Sequence, residues 1–264
     1  MKSYMTMAVL PDSFYWTTES WGGALRCSPL DAVAPHLFTT RQLPLSSQGD
    51  WERLSAALGA ARVAQLTQVH GRDVVVVRGA EGAQSGGAAE RPYGDILVSD
   101  DPDVALAVRA ADCVPLLIAD RATGAVAAVH AGWRGTAAAA APAAVDAMSR
   151  QFGSRPADLV VAIGPSIGAC CYEVGYELID AFLAAGHARG DVSRWFTTPP
   201  GGIKPRLDTW AANRDQLRHA GVPAEQIHVA GLCTACHLDL FPSFRKEKER
   251  AGRMVGAICA RRHG

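Results

Sequence analysis

The stretch from Ala110 to Thr136, AADCVPLLIADRATGAVAAVHAGWRGT, constrains this chain more than any other. Its apolar residues fall into two short runs, 114–119 and 125–129, separated by Asp120 and the turn-forming Arg121-Ala122-Thr123-Gly124. Such runs, bounded by turn residues, predict a strand, a turn and a second strand. Reactive side chains stand where these strands end. Asp112 and Cys113 precede the first, and His130 comes just after the second, ahead of a glycine-rich turn. Upstream, Thr67-Gln68-Val69-His70-Gly71 closes another apolar segment in the same way. Thiolate and imidazole are ligands that zinc and copper prefer, and a set of three leaves a fourth position for water or substrate. His70, Cys113 and His130 are therefore the candidate metal ligands. Each also has an ordinary explanation, as a small core cysteine or a hydrogen-bonded histidine. A metal-free alternative pairs a Cys113 thiolate with His130 as nucleophile and base.

The flanks supply the rest of an α/β domain. Residues 36–41 read as a strand ending on Arg41, and 63–69, 74–77, 95–99 and 104–110 as the strands leading to the central stretch. Residues 159–163, 226–232 and 253–260 are later strands. Helical spacing marks 51–58, where Trp51, Leu54 and Leu58 share a face, and also 135–152, 177–185 and 208–220. Thr136 is a candidate cap, and Pro142 either kinks the alanine-rich helix or stands in its first turn. Residues 79–92 are expected as a mobile surface loop, and 186–206, with Pro-Pro-Gly-Gly, as a long loop. Residues 1–35, carrying Trp16 and Trp21, read as an N-terminal arm packed on a single domain of residues 36–264. Strands interspersed with helices, with a hairpin at the centre, favour mixed sheets over a purely parallel one.

Composition narrows the setting. The chain has 264 residues, 48% hydrophobic and 20% charged, as in an ordinary soluble enzyme. Lys+Arg and Asp+Glu both number 26, which argues against a general nucleic-acid or anionic-membrane surface and leaves room for one basic pocket. No window approaches the ~18 consecutive apolar residues of a membrane helix. Pro11-Asp12 interrupts the N-terminal apolar run, so no secretory signal is expected. The seven cysteines, irregularly spaced, do not form a disulfide framework, and the expected compartment is the cytoplasm. Cys233-Thr234-Ala235-Cys236-His237 matches the c-type haem attachment pattern literally, but haem attachment accompanies export. A structural zinc on these residues would need partners the sequence does not reveal. Cys170 and Cys171 read as core and turn residues, and the basic run Arg245, Lys246, Lys248, Arg250 and Arg253 as a solvated loop. Arg41 and Arg134, at predicted strand ends, are candidate phosphate ligands because guanidinium forks suit phosphate. The backbone amides of residues 164–168 are the fallback cradle.

Four segments together resemble the YfiH family, also called the laccase-domain or polyphenol-oxidase family, whose members are purine nucleoside phosphorylases. They are Gln68-Val69-His70-Gly71, Ala111-Asp112-Cys113-Val114-Pro115, the HAGWRGT of residues 130–136 and the GPSIGACCYEV of residues 164–174. The likeness runs in order from about His36 to the C-terminus. Residues 42–48 are shorter than the Gly-rich, Asn-containing loop most members carry there. The resemblance implies a layered α/β/β/α fold, shared distantly with the cytotoxic necrotizing factor toxins, and zinc on His70, Cys113 and His130. It also implies phosphorolysis of adenosine, inosine or methylthioadenosine and deamination of adenosine. Purine nucleoside and phosphate would be the partners, with His70, Cys113 and His130 catalytic and Arg41, Gln68 and Arg134 binding substrate. Two other readings attach to the family. One is a copper-dependent polyphenol oxidase, although a single three-ligand site lacks the several copper centres of a true laccase. The other is a hydrolase editing peptidoglycan precursors with the Cys113/His130 pair, as those toxins use a Cys/His pair.

Overall fold

Two six-stranded mixed sheets form the body of the computed structural model, which describes residues 9–79 and 91–261. In chain order the strands are β1 (Phe14–Glu19), β2 (Gly22–Cys27), β3 (His36–Thr39), β4 (Arg62–Ala64), β5 (Val74–Val76), β6 (Ile96–Ser99) and β7 (Val104–Ala110). There follow β8 (Val114–Asp120), β9 (Val126–Ala131), β10 (Leu159–Ile163), β11 (Phe196–Thr197), β12 (Arg206–Leu207), β13 (Ile227–Val229) and β14 (Met254–Cys259). The helices are α1 (Ser28–Asp31), α2 (Gln48–Leu58), α3 (Trp133–Ala137), α4 (Ala140–Phe152), α5 (Glu177–Ala184), α6 (Arg189–Trp195), α7 (Thr209–His219) and α8 (Phe244–Glu247). One sheet runs β1-β2-β3-β14-β7-β4 and the other β13-β10-β8-β9-β6-β5, while β11 and β12 make a separate ribbon. Parallel pairing is confined to sheet edges, where β4 joins β7, β5 joins β6 and β13 joins β10.

The period of two along each strand decides the layers. Val104, Leu106, Val108 and Ala110 of β7 meet Leu117, Ala119, Val126 and Ala128 of the other sheet in a core between the two. The intervening Ala105 and Ala107 turn the opposite way, against Trp51, Leu54 and Leu58 of α2. Val114, Leu116 and Ile118 of β8 likewise turn outward, onto Ala140, Ala144 and Met148 of α4 and Leu217 of α7. The result is the expected α/β/β/α stack. Strands covered on both faces read as nearly unbroken apolar runs, as β8 does. Each fully buried Leu or Ile there contributes about 1.5–3 kcal/mol. The β8–β9 hairpin closes as the sequence predicts, because the buried Asp120 carboxylate accepts from the N–H of Ala122 (2.7 Å) and the hydroxyl of Thr123 (2.8 Å).

Elsewhere the structure departs from expectation. The segment read as an arm contributes β1, β2 and α1, an edge of the first sheet, and Trp16 stacks on Phe241 at 6.2 Å. The strand expected over 63–69 ends at Ala64, and that over 226–232 at Val229. Residues 186–206 hold α6, whose Val192 and Trp195 pack on Phe182, and β11. Gly186, Gly190 and Pro199-Pro200 hide that helical spacing in the sequence. The alanine-rich segment breaks at Ala139 (φ 60°), which leaves Pro142 in the first turn of α4. Thr136 lies within α3, where its hydroxyl accepts from Asn213 at 3.0 Å and caps nothing. Most of the loop expected at 79–92 lies outside the described residues. No helix among those described is long and apolar enough to cross a membrane.

Candidate metal centre

Asp95, at the entry to β6, organises the site. Its buried carboxylate accepts from the backbone N–H groups of Val69 (3.2 Å), His70 (3.0 Å) and Gly71 (2.7 Å) and from Nδ1 of His130 (2.8 Å). Three successive N–H groups reach one anion only if the chain curls around it, and His70 accordingly has φ 63°. A left-handed residue costs about 1–2 kcal/mol, which charge-assisted bonds of about 1.5–3 kcal/mol each offset. Burial pushes the Asp95 carboxyl up, but the His130 and backbone donors outweigh it and hold it below the usual carboxylate range. A carboxylate only accepts, so His130 Nδ1 carries the proton and Nε2 is left to bind elsewhere.

Cys113 is delivered by the turn before β8. Asp112 (φ 84°) anchors that turn, its carboxylate accepting from the Thr234 hydroxyl (2.6 Å) and the Arg245 N–H (2.6 Å), and its carbonyl from Ile167 N–H (2.9 Å). The donor atoms of His70, Cys113 and His130 all lie within 4.8 Å of one another, and the two imidazoles meet edge to face at 4.9 Å. Gly132 permits this, since a Cβ there would stand 2.9 Å from Cys113 Sγ and 3.2 Å from His70 Cδ2. Burial pushes the Cys113 thiol up, yet hydrogen bonds with His130 and His70 bring it down to about 6. Burial pushes His130 down, and its bonds to Asp95 and Cys113 raise it to about 9. A ready thiolate and imidazoles, one oriented by a carboxylate, fit a zinc-type ion with one position open. The three expected ligands are thus brought together, though not all at strand ends. His130 lies within β9, opposite Pro115, and His70 lies in the loop after β4.

These groups line a cavity of about 1120 Å³ together with Gln68, Arg109, Trp133, Tyr172, Phe244, Arg245, Lys248 and Arg253. Gln68 is spent on the backbone of Arg109, donating to its carbonyl (2.8 Å) and accepting from its N–H (2.9 Å). Among the described residues none of Arg109, Arg245, Lys248 and Arg253 forms an ion pair, so one wall is cationic, although the Arg245 guanidinium donates to the Glu173 carbonyl (2.8 Å) and lies over the Tyr172 ring at 5.2 Å. Burial, then Arg91 and Arg253, hold Arg109 below the usual guanidinium range. Burial, then Cys113, push the Tyr172 phenol up to about 12, which keeps its proton on. The expected anion ligands lie elsewhere. Arg41 donates to the Phe241 carbonyl (2.8 Å) and pairs with Glu247 (3.0 Å), and Arg134 lies over the Trp133 ring at 4.4 Å; neither lines the cavity. The 164–168 cradle is closed as well, because its N–H groups already bond to Pro115, Leu232, Asp112 and Cys233. The basic run expected as a solvated loop supplies the wall instead.

Residues 39–261 match the family model for the multi-copper polyphenol oxidoreductase laccase. The chain belongs to that family. This laccase-family chain is 37% identical over 253 residues to a purine nucleoside phosphorylase of Deinococcus radiodurans, covering 88% of its own length and 92% of the relative's. It is 39% identical over 164 residues to a purine nucleoside phosphorylase of Bacteroides thetaiotaomicron, and equally so to the adenosine deaminase RL5 of an unknown prokaryotic organism. Those two alignments cover 62% of the chain and only 60% and 61% of the relatives. The solved structure of YlmD from Geobacillus stearothermophilus superposes with a TM-score of 0.85 at 32% identity, over 96% of this chain and 100% of that one.

Proposed function

We propose that this protein is a zinc-dependent purine nucleoside enzyme, carrying out phosphorolysis of adenosine, inosine and methylthioadenosine and deamination of adenosine in the cytoplasm. One observation carries the reading: two histidines and a cysteine converge in a cavity whose wall is cationic and, among the described residues, free of ion pairs. A metal centre beside an anion-binding wall suits one neutral nucleoside and one anionic co-substrate. His70, Cys113 and His130 would hold the ion, which when bound supplies Lewis-acid polarisation in either reaction. The protein's own groups do the rest. Arg109, Arg245, Lys248 and Arg253 are the cations available to hold phosphate against the sugar carbon. Phe244 offers an aromatic face for a purine, as do Trp133 and Tyr172 on the faces that Arg134 and Arg245 leave uncovered, and the protonated Tyr172 hydroxyl can donate to it. Asp112 has both carboxylate oxygens engaged with Thr234 and Arg245, which suits positioning Cys113 better than exchanging protons.

A second reading, a hydrolase in which Cys113 attacks and His130 acts as base, draws on the lowered thiol and its hydrogen bond to His130. A substrate panel separates the two. Adenosine, inosine and methylthioadenosine are incubated with and without phosphate, alongside muropeptide precursors, before and after chelation and zinc return. The nucleoside reading expects ribose-1-phosphate only with phosphate, ammonia from adenosine without it, and loss of both on chelation or in Cys113→Ser. Turnover of muropeptides alone, insensitive to chelator, would overturn it.

A further inference from the structure

Four cysteines apart from the cavity come together from two distant segments. Cys170 and Cys171 lie in the turn after the 164–168 segment, and Cys233 and Cys236 in the loop after β13. A parallel bridge between Ser166 and Cys233, with Thr234 N–H donating to the Ser166 carbonyl (3.1 Å), clamps one segment on the other. Their four sulfurs lie within 4.8 Å of one another, with Cys236 Sγ 3.6 Å from that of Cys170 and 3.5 Å from that of Cys171. All four are free, and those separations far exceed the ~2.05 Å of a disulfide. They match the ~3.8 Å edge of a tetrahedron of sulfurs about an ion at ~2.3 Å. We propose that Cys170, Cys171, Cys233 and Cys236 form a second metal site, a closed tetrahedral four-thiolate site for one zinc ion.

The local backbone is arranged as such a site needs. In the Cys-x-x-Cys loop the N–H groups of Cys236 and His237 both donate to the Cys233 carbonyl (3.1 Å each), which folds the two cysteines onto one side. On the other segment Cys171 and Tyr172 N–H donate to the Gly168 carbonyl (2.9 and 3.0 Å). Gly168 N–H points at Cys233 Sγ (3.3 Å), a bond that favours a thiolate sulfur. Four thiolates leave no open position, so the site is structural and carries no chemistry of its own. Its effect reaches the cavity through two residues. Thr234, between the paired cysteines, holds Asp112, the neighbour of Cys113, and Tyr172 follows Cys171 directly into the cavity wall. Closing the four sulfurs on an ion thus fixes the turn that presents Cys113.

The test counts metal by mass spectrometry of elements on protein purified reduced and without chelator. Cys170 and Cys236 are exposed, so Cys170→Ser/Cys236→Ser is the variant that least disturbs packing. The expected result is the loss of about one zinc per chain in that double variant relative to wild type, whatever the His70–Cys113–His130 centre holds. Cys113→Ser should retain that zinc, and its cobalt-loaded form should show thiolate charge-transfer absorption that disappears on adding Cys170→Ser/Cys236→Ser. On the wild-type chain, Cys170 and Cys236 should resist N-ethylmaleimide until a chelator is added, a readout that needs no variant. Equal zinc in wild type and double variant overturns the proposal. So do iron or copper in place of zinc, an intact mass lowered by a disulfide, or labelling indifferent to chelator.

Discussion

Asp95→Asn is the sharpest test of how the metal centre is built. Oδ1 of Asp95 serves His70 N–H and His130 Nδ1, and Oδ2 serves Val69 and Gly71 N–H. Asparagine has one carbonyl oxygen, so whichever way it turns, two donors face an NH₂ group that cannot accept. Two charge-assisted bonds of about 1.5–3 kcal/mol would be lost, a ceiling of about 3–6 kcal/mol. Val69 and His70 are exposed, so water recovers part of this, and a net loss of about 2–3 kcal/mol is expected. For a chain of this size that lowers Tm by about 4–12 °C. With the His70 turn relaxed and His130 no longer oriented, zinc affinity should fall about 10- to 100-fold. Calorimetric unfolding and competition with a chromophoric zinc chelator read the two effects. Zinc affinity within about twofold of wild type, with Tm unchanged, would refute the claim that Asp95 organises the site.

Arg109→Ala should lower phosphate-dependent base release about ten- to a hundred-fold, through the KM for phosphate, and leave phosphate-independent ammonia release much less changed. Arg41→Ala should reduce both reactions together, by loosening the segment that holds Phe241 and Glu247, and equal rate losses would show it. Burial holds His36 at about 4, although Ala34 and Asp31 favour its charge, and its neutral ring accepts from Cys27 N–H (2.9 Å). The unfolded chain takes up that proton from about pH 6.5 downward, so stability present above pH 6.5 falls by on the order of 3 kcal/mol by pH 4; in urea unfolding, His36→Gln should flatten that slope relative to wild type. Gly164→Ala would drive a Cβ into the ring of Phe38, buried between the sheets, and should cost about 1–3 kcal/mol or more in the same assay.

What the sequence makes legible here is what lies within one hydrogen-bonded unit. The β8–β9 hairpin carries its own turn chemistry in Asp120 and Thr123; Cys113 directly precedes it and His130 lies in its second strand, so residue order alone puts both near one end of it. His70 is legible only as a histidine beside a glycine. Its left-handed backbone and its nearness to Cys113 depend on Asp95, an acidic residue that reads as nothing more than the start of a strand. The signal was a buried charge: an aspartate leading into an apolar strand needs donors, and the sequence does not say which.

The same argument explains why Arg41 and Arg134 stand away from the cavity. Arg41 and Arg134 carry the right group at plausible strand ends, but a carboxylate pairs with the first and an aromatic face stacks on the second, Glu247 and Trp133 respectively. Two arginines that no ion pair holds among the described residues are brought together by the fold. Arg109 is the last residue but one of β7, and Arg253 directly precedes β14, which pairs with β7 so that Met254 lies opposite Ala110. Two residues nearly 150 positions apart become neighbours through that register, and their mutual repulsion is tolerable only beside a solvent-filled cavity or an anion. Burial, then the charges of Arg91 and Arg253, hold Arg109 below its usual range, and an anion bound on this wall would relieve the repulsion. Phosphate should therefore raise Tm in the wild-type chain and lose most of that effect in Arg109→Ala, since a ligand bound only by the folded state stabilises it by mass action.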